Sequence, residues 1–344
     1  MKICIFSDVH WSKNSSLITQ RGEKYSLRLE RLIKSLNFIN KRAKENNCEL
    51  MICAGDFFDK PILNDEEITA LKEIDWLDIP TYFLCGNHES AQLDLKYSTL
   101  NTLISNNHNI ISEPTKLSGK NWQIYLLPYI TERQRKPFNE YLQLKEDNKN
   151  CIVFTHSDIQ GYIEAIKDIG FSINEIEQNC DLCFNGHLHN GGKLSNKVIN
   201  IGSISANNFT NDSDTYNYGF LILDTDTLHY EFITNPFSFN FYKFTIKNDL
   251  QVNQLKKYPK YSFIDITLKD REFLEDTKLE LDRLDNIISY KIKIDEDKKP
   301  IEEEIVDSEN KSKSYKERWL EFAKKYYTEE KLKVILEKFN ADTI

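Results

Sequence analysis

The sequence predicts an α/β protein in which a two-sheet sandwich, flanked by helices, precedes a smaller α/β unit. Short apolar runs recur along residues 1–235, and they are rich in Ile, Leu, Val, Phe and Cys, as strands buried on both faces are. Amphipathic stretches separate the early runs, and this alternation of strand and helix is typical of an α/β sandwich. A chain of 344 residues, 40% of them hydrophobic, can bury the large core that such a sandwich needs.

Strands and helices alternate in the predicted order before Pro236. The predicted strands are Lys2–Ser7, Leu50–Ala54, Thr81–Cys85, Gln123–Leu127, Cys151–Thr155, Asp181–Asn185, Val198–Ile201, Gly219–Leu223 and Leu228–Ile233. The predicted helices are Arg21–Asn46, Asp65–Asp78 and Gln92–Ser105. The first helix repeats apolar residues at helical spacing, and the second begins with acids that suit a helix N-terminus.

A second, smaller unit is predicted after Pro236. Its expected elements are the strands Tyr261–Leu268 and Ile287–Ile294 and, between them, the helix Arg271–Leu284. The aromatic segment Phe237–Phe244 has alternating spacing, which favours a strand that joins the two units over a base-stacking surface.

The C-terminal part is predicted to be an acidic tether followed by helices. Residues 295–313 are rich in acids and are predicted to be a flexible linker. Residues 314–344 are predicted to form two short helices, the first with Trp319, Phe322 and Tyr326 on one side. Because the tether lengthens their reach, these apolar sides favour a separate partner over packing on the chain's own domain. The expected domains are 1–235, 236–294, 295–313 and 314–344.

Charge and hydropathy bear on whether the protein binds nucleic acid, spans a membrane or carries a signal peptide. The net charge of −9 argues mildly against nucleic acid as a partner, but residues 295–309 alone carry −6 and leave the rest near −3. No apolar run reaches the roughly 18 residues of a membrane span. The N-terminal MKICIFSDVH resembles a buried strand that enters a polar loop rather than a signal peptide.

The seven cysteines are predicted to be reduced core residues of a cytoplasmic protein. Their number is odd, and most lie in apolar, strand-like runs. Cys180 and Cys183 form a CxxC, but no second pair completes a zinc site, and strand periodicity sends the two side chains to opposite faces. We therefore expect no metal or redox role for this pair.

Five polar motifs each begin where an apolar run stops. They are Asp8-Val9-His10, Gly55-Asp56-Phe57-Phe58-Asp59, Gly86-Asn87-His88-Glu89, the lone His156 and Gly186-His187-Leu188-His189. Ligands collect beyond the carboxyl ends of strands in α/β sheets, so these side chains are expected to meet. Because all five motifs follow predicted strands in order, their histidines are not explained well as ordinary hydrogen-bonded core or surface residues. For His108 and His229 that ordinary explanation is the favoured one.

Imidazole and carboxylate ligands together suit manganese, iron or zinc better than calcium or magnesium. Within Asp8-Val9-His10, positions i and i+2 leave a strand on the same side, and His187 and His189 have the same spacing. A carboxylate such as that of Asp56 can bridge two ions, the usual clamp for phosphoryl displacement. The motifs therefore indicate a metal-dependent phosphoesterase.

The motifs DVH, GDFFD, GNHE, the lone His156 and GHLH resemble those of the calcineurin-like metallophosphoesterases, over residues 1–235. The resemblance implies a metallophosphoesterase sandwich that binds two divalent ions, with manganese the favoured metal. It implies that one ion is held by Asp8, His10, Asp56 and His189, and the other by Asp56, Asn87, His156 and His187. It also implies that His88 is the general acid or stabiliser at the leaving oxygen, oriented by Asp59.

Within that superfamily the layout looks most like the SbcD-type DNA repair nucleases, which include phage recombination nuclease subunits. Ile201-Gly202-Ser203, then Phe209 and the strand GFLILD, resemble that family's segment after the GHxH motif. Residues 236–294 match its small capping, DNA-recognition domain in position. Residues 314–344 match the helices that dock on the coiled-coil base of an SbcC-type ATPase. Glu89, where these nucleases usually have Asp, and FTHSD around His156 depart from the pattern.

The resemblance implies a manganese-dependent DNA nuclease with 3'-5' exonuclease and single-strand endonuclease activity. It would act as a homodimer with an SbcC-type ATPase in DNA end processing, recombination and repair, in the cytoplasm of a bacterium or of a phage host. The alternatives are a related phosphoesterase that acts on phosphoproteins, cyclic nucleotides or nucleotides, and a metal-free scaffold, although no ligand is missing. Candidate DNA contacts are Lys13, Arg21, Lys60, Arg133, Arg135 and Lys136, and for each lysine a solvated surface charge is the favoured alternative.

Overall fold

The computed structural model describes all residues except 91–93, 163–167, 211–212, 249–250, 252, 296–303 and 307–344. The chain divides into two compact units, Met1–Phe241 and Tyr242–Ile344. The predicted C-terminal helices of 314–344 lie outside the described residues. Across the part that is described, no helix is long and apolar enough to span a membrane.

The first sheet has six strands in the order β12-β11-β1-β2-β3-β4. Their bounds are β1 Lys2–Phe6, β2 Leu50–Cys53, β3 Thr81–Leu84, β4 His108–Ile111, β11 Gly219–Asp224 and β12 Tyr230–Thr234. Strands β1 to β4 run parallel, and β11 is antiparallel to both β1 and β12. His108 begins β4 and packs against Trp76, so it is a structural histidine, as expected.

The second sheet has six strands in the order β5-β6-β7-β8-β10-β9. Their bounds are β5 Thr115–Ser118, β6 Trp122–Leu127, β7 Asn150–Thr155, β8 Leu182–Asn185, β9 Gly192–Lys193 and β10 Val198–Asn200. The four inner strands are parallel, and the two edge strands β5 and β9 pair antiparallel with them. The inner strands confirm the predicted apolar runs, whereas the polar edge strands were not predicted.

Three α-helices, α1 Leu27–Glu45, α2 Asp65–Ala70 and α3 Ile173–Asn179, lie in the described residues of the first unit. The helix predicted from Arg21 begins at Leu27, because the Ser26 hydroxyl caps it by accepting a hydrogen bond from Leu29 N at 3.2 Å. The prediction of a helix over Gln92–Ser105 is wrong. In its described part the chain forms the 3-10 turns Leu95–Tyr97 and Thr99–Leu103, and further 3-10 turns are Leu71–Glu73, Glu132–Gln134 and Phe138–Tyr141.

The two sheets form the predicted sandwich, and β1 shows why its apolar run is continuous. Ile3 and Ile5 point into the core between the sheets, where they join Phe154 of β7. Cys4 and Phe6 point to the opposite face and join the core under α1. A strand buried on both faces needs apolar residues at every position, which confirms the basis of the prediction.

The second unit is built on a four-stranded sheet in the order β13-β14-β15-β16. The bounds are β13 Asn240–Ile246, β14 Ser262–Leu268, β15 Ile287–Ile294 and β16 Glu304–Val306, with the helix Leu274–Leu281 and 3-10 turns Asn253–Lys257 and Arg271–Phe273. Strands β14 and β15 are parallel, as expected for strands joined through a helix. Within 295–313, expected to be a flexible linker, Glu304–Val306 instead pair antiparallel with β15.

All seven cysteine thiols are buried and unpaired, as predicted for core residues. Burial raises the pKa of every one of them, to about 12 for Cys85 and Cys180 and to about 11 for Cys48 and Cys151. Since a raised pKa lowers the thiolate fraction at any pH below it, these thiols should be unreactive. We therefore expect native protein at pH 8 to resist Ellman's reagent, and all seven thiols to react after unfolding in guanidinium.

A Ser16→Cys variant serves as the control for this prediction, because Ser16 is exposed. It should react rapidly at one thiol in the native state. Rapid reaction of any of the seven natural cysteines in the folded wild-type protein would contradict the assignment, above all for the CxxC pair.

Candidate metal centre

The five motifs follow strands that are parallel neighbours. Strands β1, β2 and β3 adjoin one another in the first sheet, and β7 and β8 adjoin in the second. Their carboxyl ends therefore bring the motif side chains to one end of the sandwich, as predicted. The seven predicted ligands all lie there, together with His88 and Asp59.

The backbone at this end is held in an unusual conformation. Asp8, His10, Asp56 and His187 all have positive φ angles, of 51°, 49°, 48° and 72°. Each such non-glycine residue costs about 1–3 kcal/mol, and such residues cluster at functional sites. Hydrogen bonds from Asp8 N to Gly55 O at 3.1 Å and from His10 N to Asp56 O at 3.0 Å hold two of the loops together. The fold thus maintains the strain by tying the first motif to the second.

The first cluster of ligand atoms combines Asp8, His10 and His189, with Asp56 at its edge. His10 Nε2 lies 2.9 Å from His189 Nε2 and 3.9 Å from Asp8 Oδ1. Asp8 Oδ1 is also 4.0 Å from His189 Nε2, and Asp56 Oδ2 is 4.0 Å from His10 Nε2. These four atoms converge as the ligands of one ion should.

The second cluster combines Asp56, Asn87, His156 and His187. His156 Nε2 lies 3.1 Å from Asp56 Oδ2 and 3.3 Å from Asn87 Oδ1. Asn87 Oδ1 is 3.1 Å from His187 Nδ1. Gly55 has a φ of 103°, and a Cβ at that position would collide with the His156 ring, so the close approach requires glycine. Asp56 Oδ2 therefore faces both clusters.

The chemistry of these residues fits two divalent cations. Asp8 Oδ1 is buried and has no hydrogen-bond partner among the described residues, although two imidazoles flank it. A buried carboxylate oxygen without a partner is costly, and a cation at this point would satisfy it. Four imidazoles, two carboxylates and one amide oxygen form the full donor set, which the described structure brings together.

The charges within the clusters are strongly coupled. Burial alone would raise the pKa of the Asp56 carboxyl, but the imidazoles of His156, His10 and His88 together hold that pKa well below its usual range. Burial would lower the pKa of His156, but the Asp56 carboxylate beside it raises that pKa. Burial lowers the pKa of His189 to about 4, so its ring is neutral at pH 7 and can serve as a metal ligand.

His88 differs from the other motif histidines in exposure and in partner. Its side chain is 40% exposed, the highest value of the five. His88 Nδ1 is 2.9 Å from the Asp59 backbone carbonyl, to which it can donate only in its protonated form. That contact leaves Nε2 free, at 3.9 Å from Asp56 Oδ2. A ring nitrogen of His88 lies within 4.8 Å of ligand atoms of His10 and Asp56, so its exposure, and not its distance, separates His88 from the predicted ligands.

The expected role of the Asp59 carboxylate needs correction. Asp59 Oδ1 lies 3.0 Å from His10 Nδ1 and 4.0 Å from His88 Nδ1. The carboxylate therefore orients the predicted ligand His10, and only the backbone carbonyl of Asp59 orients His88. Motif spacing could not distinguish these partners, because both histidines border the same loop.

We expect Asp59→Asn to weaken binding of the first ion by about 10–100-fold, the usual effect of removing a carboxylate behind a metal-bound histidine. The asparagine amide is uncharged, so it holds the His10 tautomer less firmly than the carboxylate does. Calorimetric titration with Mn²⁺ measures the change. Asp65→Asn, an exposed carboxylate in the first turn of α2, is the matched control. Unchanged affinity in Asp59→Asn would exclude the orienting role.

Glu89 is a structural residue of the site that the sequence did not assign. Its buried carboxylate accepts hydrogen bonds from Phe57 N, from Phe58 N at 3.2 Å and from Gly86 N at 2.6 Å. Burial, and then the neighbouring Asp56 carboxylate, raise the pKa of Glu89 to about 8. These bonds join the loop after β2 to the loop after β3. The only sequence signal was that Glu89 departs from the aspartate of related motifs.

Two further residues support ligands and were not assigned from the sequence. Asp158 Oδ1 lies 3.1 Å from His187 Nε2, which leaves His187 Nδ1 to face the second cluster. The fully buried Arg28 of α1 donates to the His10 backbone carbonyl at 2.8 Å and to Asn207 Oδ1 at 2.7 Å. Asp158 stands two residues after His156, so its position in FTHSD was the available signal. Arg28 stood on the apolar side of a predicted helix, where an arginine is unusual.

The candidate DNA contacts fall into two groups. Ion pairs engage Lys13 and Arg21 with Glu66, Lys60 with Glu67, and Arg135 with Glu132. These carboxylates neutralise the cations that would face a phosphate. For the side chains of Arg133 and Lys136 the structure shows no ion pair within the described residues, so these two remain the stronger candidates.

The chain is similar to several known proteins. The family model described as calcineurin-like phosphoesterase matches residues 1–191. The chain is 25% identical over 243 residues to the "Probable exonuclease subunit 1" of Escherichia phage T5, covering 68% of this chain and 69% of that protein. A dimetal phosphatase from Danio rerio has a TM-score of 0.43 at 13% identity, covering 68% of this chain and 98% of the other. A single mutant of Vps29 from Entamoeba histolytica has a TM-score of 0.27 at 13% identity, covering 68% and 99%.

Proposed function

The chain belongs to the calcineurin-like phosphoesterase family, a family of metal-dependent hydrolases, and on that basis we propose that it is a DNA nuclease. The observation that carries the phosphoesterase part of the proposal is the complete donor set, in which Asp56 Oδ2 faces both ligand clusters. A phosphodiester in the site would lie against both. The likeness to a phage exonuclease subunit favours DNA over the phosphoproteins or nucleotides that related enzymes take.

Some residues of the site would hold the cations, and one would transfer a proton. Asp8, His10, Asp56 and His189 would hold one cation, and Asp56, Asn87, His156 and His187 the other. When bound, the two cations stabilise negative charge on the phosphate oxygens and lower the pKa of water. His88 Nε2 faces the same region and delivers a proton to the leaving oxygen, while the Asp59 carbonyl keeps Nδ1 protonated.

We propose manganese as the working metal. Four imidazoles among seven ligands are too many for magnesium or calcium, which prefer oxygen ligands. Zinc and iron share the preference for imidazole, so activity with each metal must be compared directly. We further propose 3'-5' exonuclease and single-strand endonuclease activity, in DNA end processing, recombination and repair.

In the test, the purified protein is incubated with Mn²⁺ and one of four substrates. These are blunt duplex DNA, single-stranded DNA, bis(p-nitrophenyl) phosphate and a phosphopeptide. We expect hydrolysis of both DNA substrates and of the small diester, loss of all three activities with EDTA, and recovery when Mn²⁺ is added back. Hydrolysis of the small diester or the phosphopeptide without any cleavage of DNA would reject the nuclease in favour of a related phosphoesterase.

We also propose that residues 314–344 bind an SbcC-type coiled-coil ATPase and that the nuclease acts as a homodimer. The apolar sides of the two predicted helices support this, and the T5 relative is named a subunit. Deleting Ser314–Ile344 should abolish co-purification with the ATPase and leave manganese-dependent cleavage of simple DNA ends. Undiminished co-purification of the truncated protein would reject the docking site.

A further inference from the structure

A cavity of about 780 Å³ opens beside the second ligand cluster, and none of the proposed roles uses it. Asn87, a proposed ligand of the second ion, forms part of its wall. The rest of the wall comes from the segments around Leu95, Pro114 and residues 128–141. The volume lies within the range of about 300–1,000 Å³ that small-molecule sites occupy. The cavity is therefore large enough for a substrate group attached to the scissile phosphate.

Tyr129 connects the cavity to the metal ligands. Its ring lines the cavity and lies 6.0 Å from the His187 ring and 6.4 Å from the His156 ring, measured between centroids. Its backbone N–H donates to the Cys85 carbonyl at 2.8 Å, which ties the residue to the end of β3. A group that packs on Tyr129 would thus be held next to the second ion.

The chemistry of the wall suits a nucleoside with a neighbouring phosphate. Tyr129 and Tyr141 offer aromatic rings, and Leu95 and Pro114 add apolar surface. Flat heteroaromatic bases stack on such rings without regard to sequence. Lys136 supplies a cation that has no ion pair in the described part of the chain. The wall also holds one acid, Asp94, whose carboxylate accepts a hydrogen bond from Lys96 N at 3.0 Å.

We propose that this cavity is a nucleoside subsite, in which Tyr129 stacks on the base next to the scissile phosphate and Lys136 attracts the following phosphate. The proposal rests on the proposed function, which supplies DNA as the substrate class. It adds a reason why a nucleotide substrate would be preferred over a phosphate ester of the same reactivity.

The test compares methyl p-nitrophenyl phosphate with the 5'- and 3'-p-nitrophenyl phosphate diesters of thymidine. All three share the leaving group and the scissile bond, and only the thymidine esters carry a nucleoside. We define the selectivity as kcat/KM for the better thymidine ester divided by kcat/KM for the methyl ester. Tyr129→Ala and Tyr129→Leu should lower this ratio by about 5- to 100-fold, the effect of losing one stacked base. Tyr129→Phe, which keeps the ring, should retain it.

Phe232→Ala is the matched control, because Phe232 is exposed on β12, at the end of the first sheet opposite to β4. Its selectivity should equal that of the wild-type protein. An unchanged ratio in both Tyr129→Ala and Tyr129→Leu would overturn the subsite. An equal loss on methyl and thymidine esters would also overturn it, since Tyr129 would then act only through His187. Failure of the wild-type protein to cleave DNA would instead reject the proposed function, so the two failures are distinguishable.

Discussion

Asp56→Asn is expected to lower kcat/KM for manganese-dependent hydrolysis by at least about 1,000-fold, because the ions contribute several kcal/mol of transition-state stabilisation. Asp56 Oδ2 lies 3.1 Å from His156 Nε2 and 4.0 Å from His10 Nε2, so it is placed to serve both clusters. An amide is a weaker ligand and carries no charge to bridge two cations. We expect the variant to retain no more than one ion per chain.

The local fold should survive this change. Asp56 Oδ1 accepts a hydrogen bond from His88 N at 3.1 Å, and an asparagine can accept the same bond. Metal content by mass spectrometry, with kinetics on DNA and on bis(p-nitrophenyl) phosphate, measures the outcome. Asp276→Asn, an exposed carboxylate of the second unit, is the control and should behave as wild type. Two ions per chain in Asp56→Asn, or activity within tenfold of wild type, would show that Asp56 is not the bridge.

His88→Ser is expected to retain both ions and to lose about 100- to 10,000-fold in the cleavage of DNA, the usual contribution of a general acid. The alkoxide that leaves from DNA needs a proton, whereas p-nitrophenolate is a stable anion without one. The loss should therefore be much smaller on bis(p-nitrophenyl) phosphate than on DNA. This difference between substrates separates proton donation from a structural role.

The control is His229→Ser, since His229 is exposed and precedes β12. It should keep its metal content and its activity on both substrates. If the ion content of His88→Ser falls together with its activity, His88 is a ligand rather than an acid. Equal losses on DNA and on the nitrophenyl ester would also exclude the acid role.

The convergence of the five motifs could be predicted from the sequence because one physical rule suffices. Parallel strands end at the same edge of a sheet, and each motif begins where an apolar run stops. Ile3 and Ile5 on one face of β1, with Cys4 and Phe6 on the other, show that the runs were buried on both faces. The meeting of the motif side chains follows from that order, whereas the division of the seven ligands between two ions was implied by the resemblance to the calcineurin-like metallophosphoesterases.

The residues that support the ligands could not be predicted, because their contacts join loops that are distant in the chain. Glu89 bonds backbone N–H groups about thirty residues earlier, and the Asp59 carboxylate lies against His10 rather than His88. Nearly every residue has a backbone N–H, so a sequence motif does not show which of these groups a side chain bonds. Only the three-dimensional path of the loops after β1, β2 and β3 determines these partners.

The misassigned elements have two local causes. Strands β5 and β9 are short edge strands whose polar residues lack the apolar alternation that identifies a strand. In the segment predicted as Gln92–Ser105, the side chains of Asp94 and Ser98 accept hydrogen bonds from backbone N–H groups two residues later. Such local bonds compete with the α-helix and favour tight 3-10 turns.

Diffraction from crystals soaked in Mn²⁺, recorded at the manganese absorption edge, most directly tests whether this chain holds two ions between its motifs. We predict two anomalous peaks per chain, about 3.5–4 Å apart, with the Asp56 carboxylate in contact with both. The remaining ligands should divide as Asp8, His10 and His189 around one peak and Asn87, His156 and His187 around the other. A single peak, or peaks held by residues outside this set, would contradict the two-metal centre.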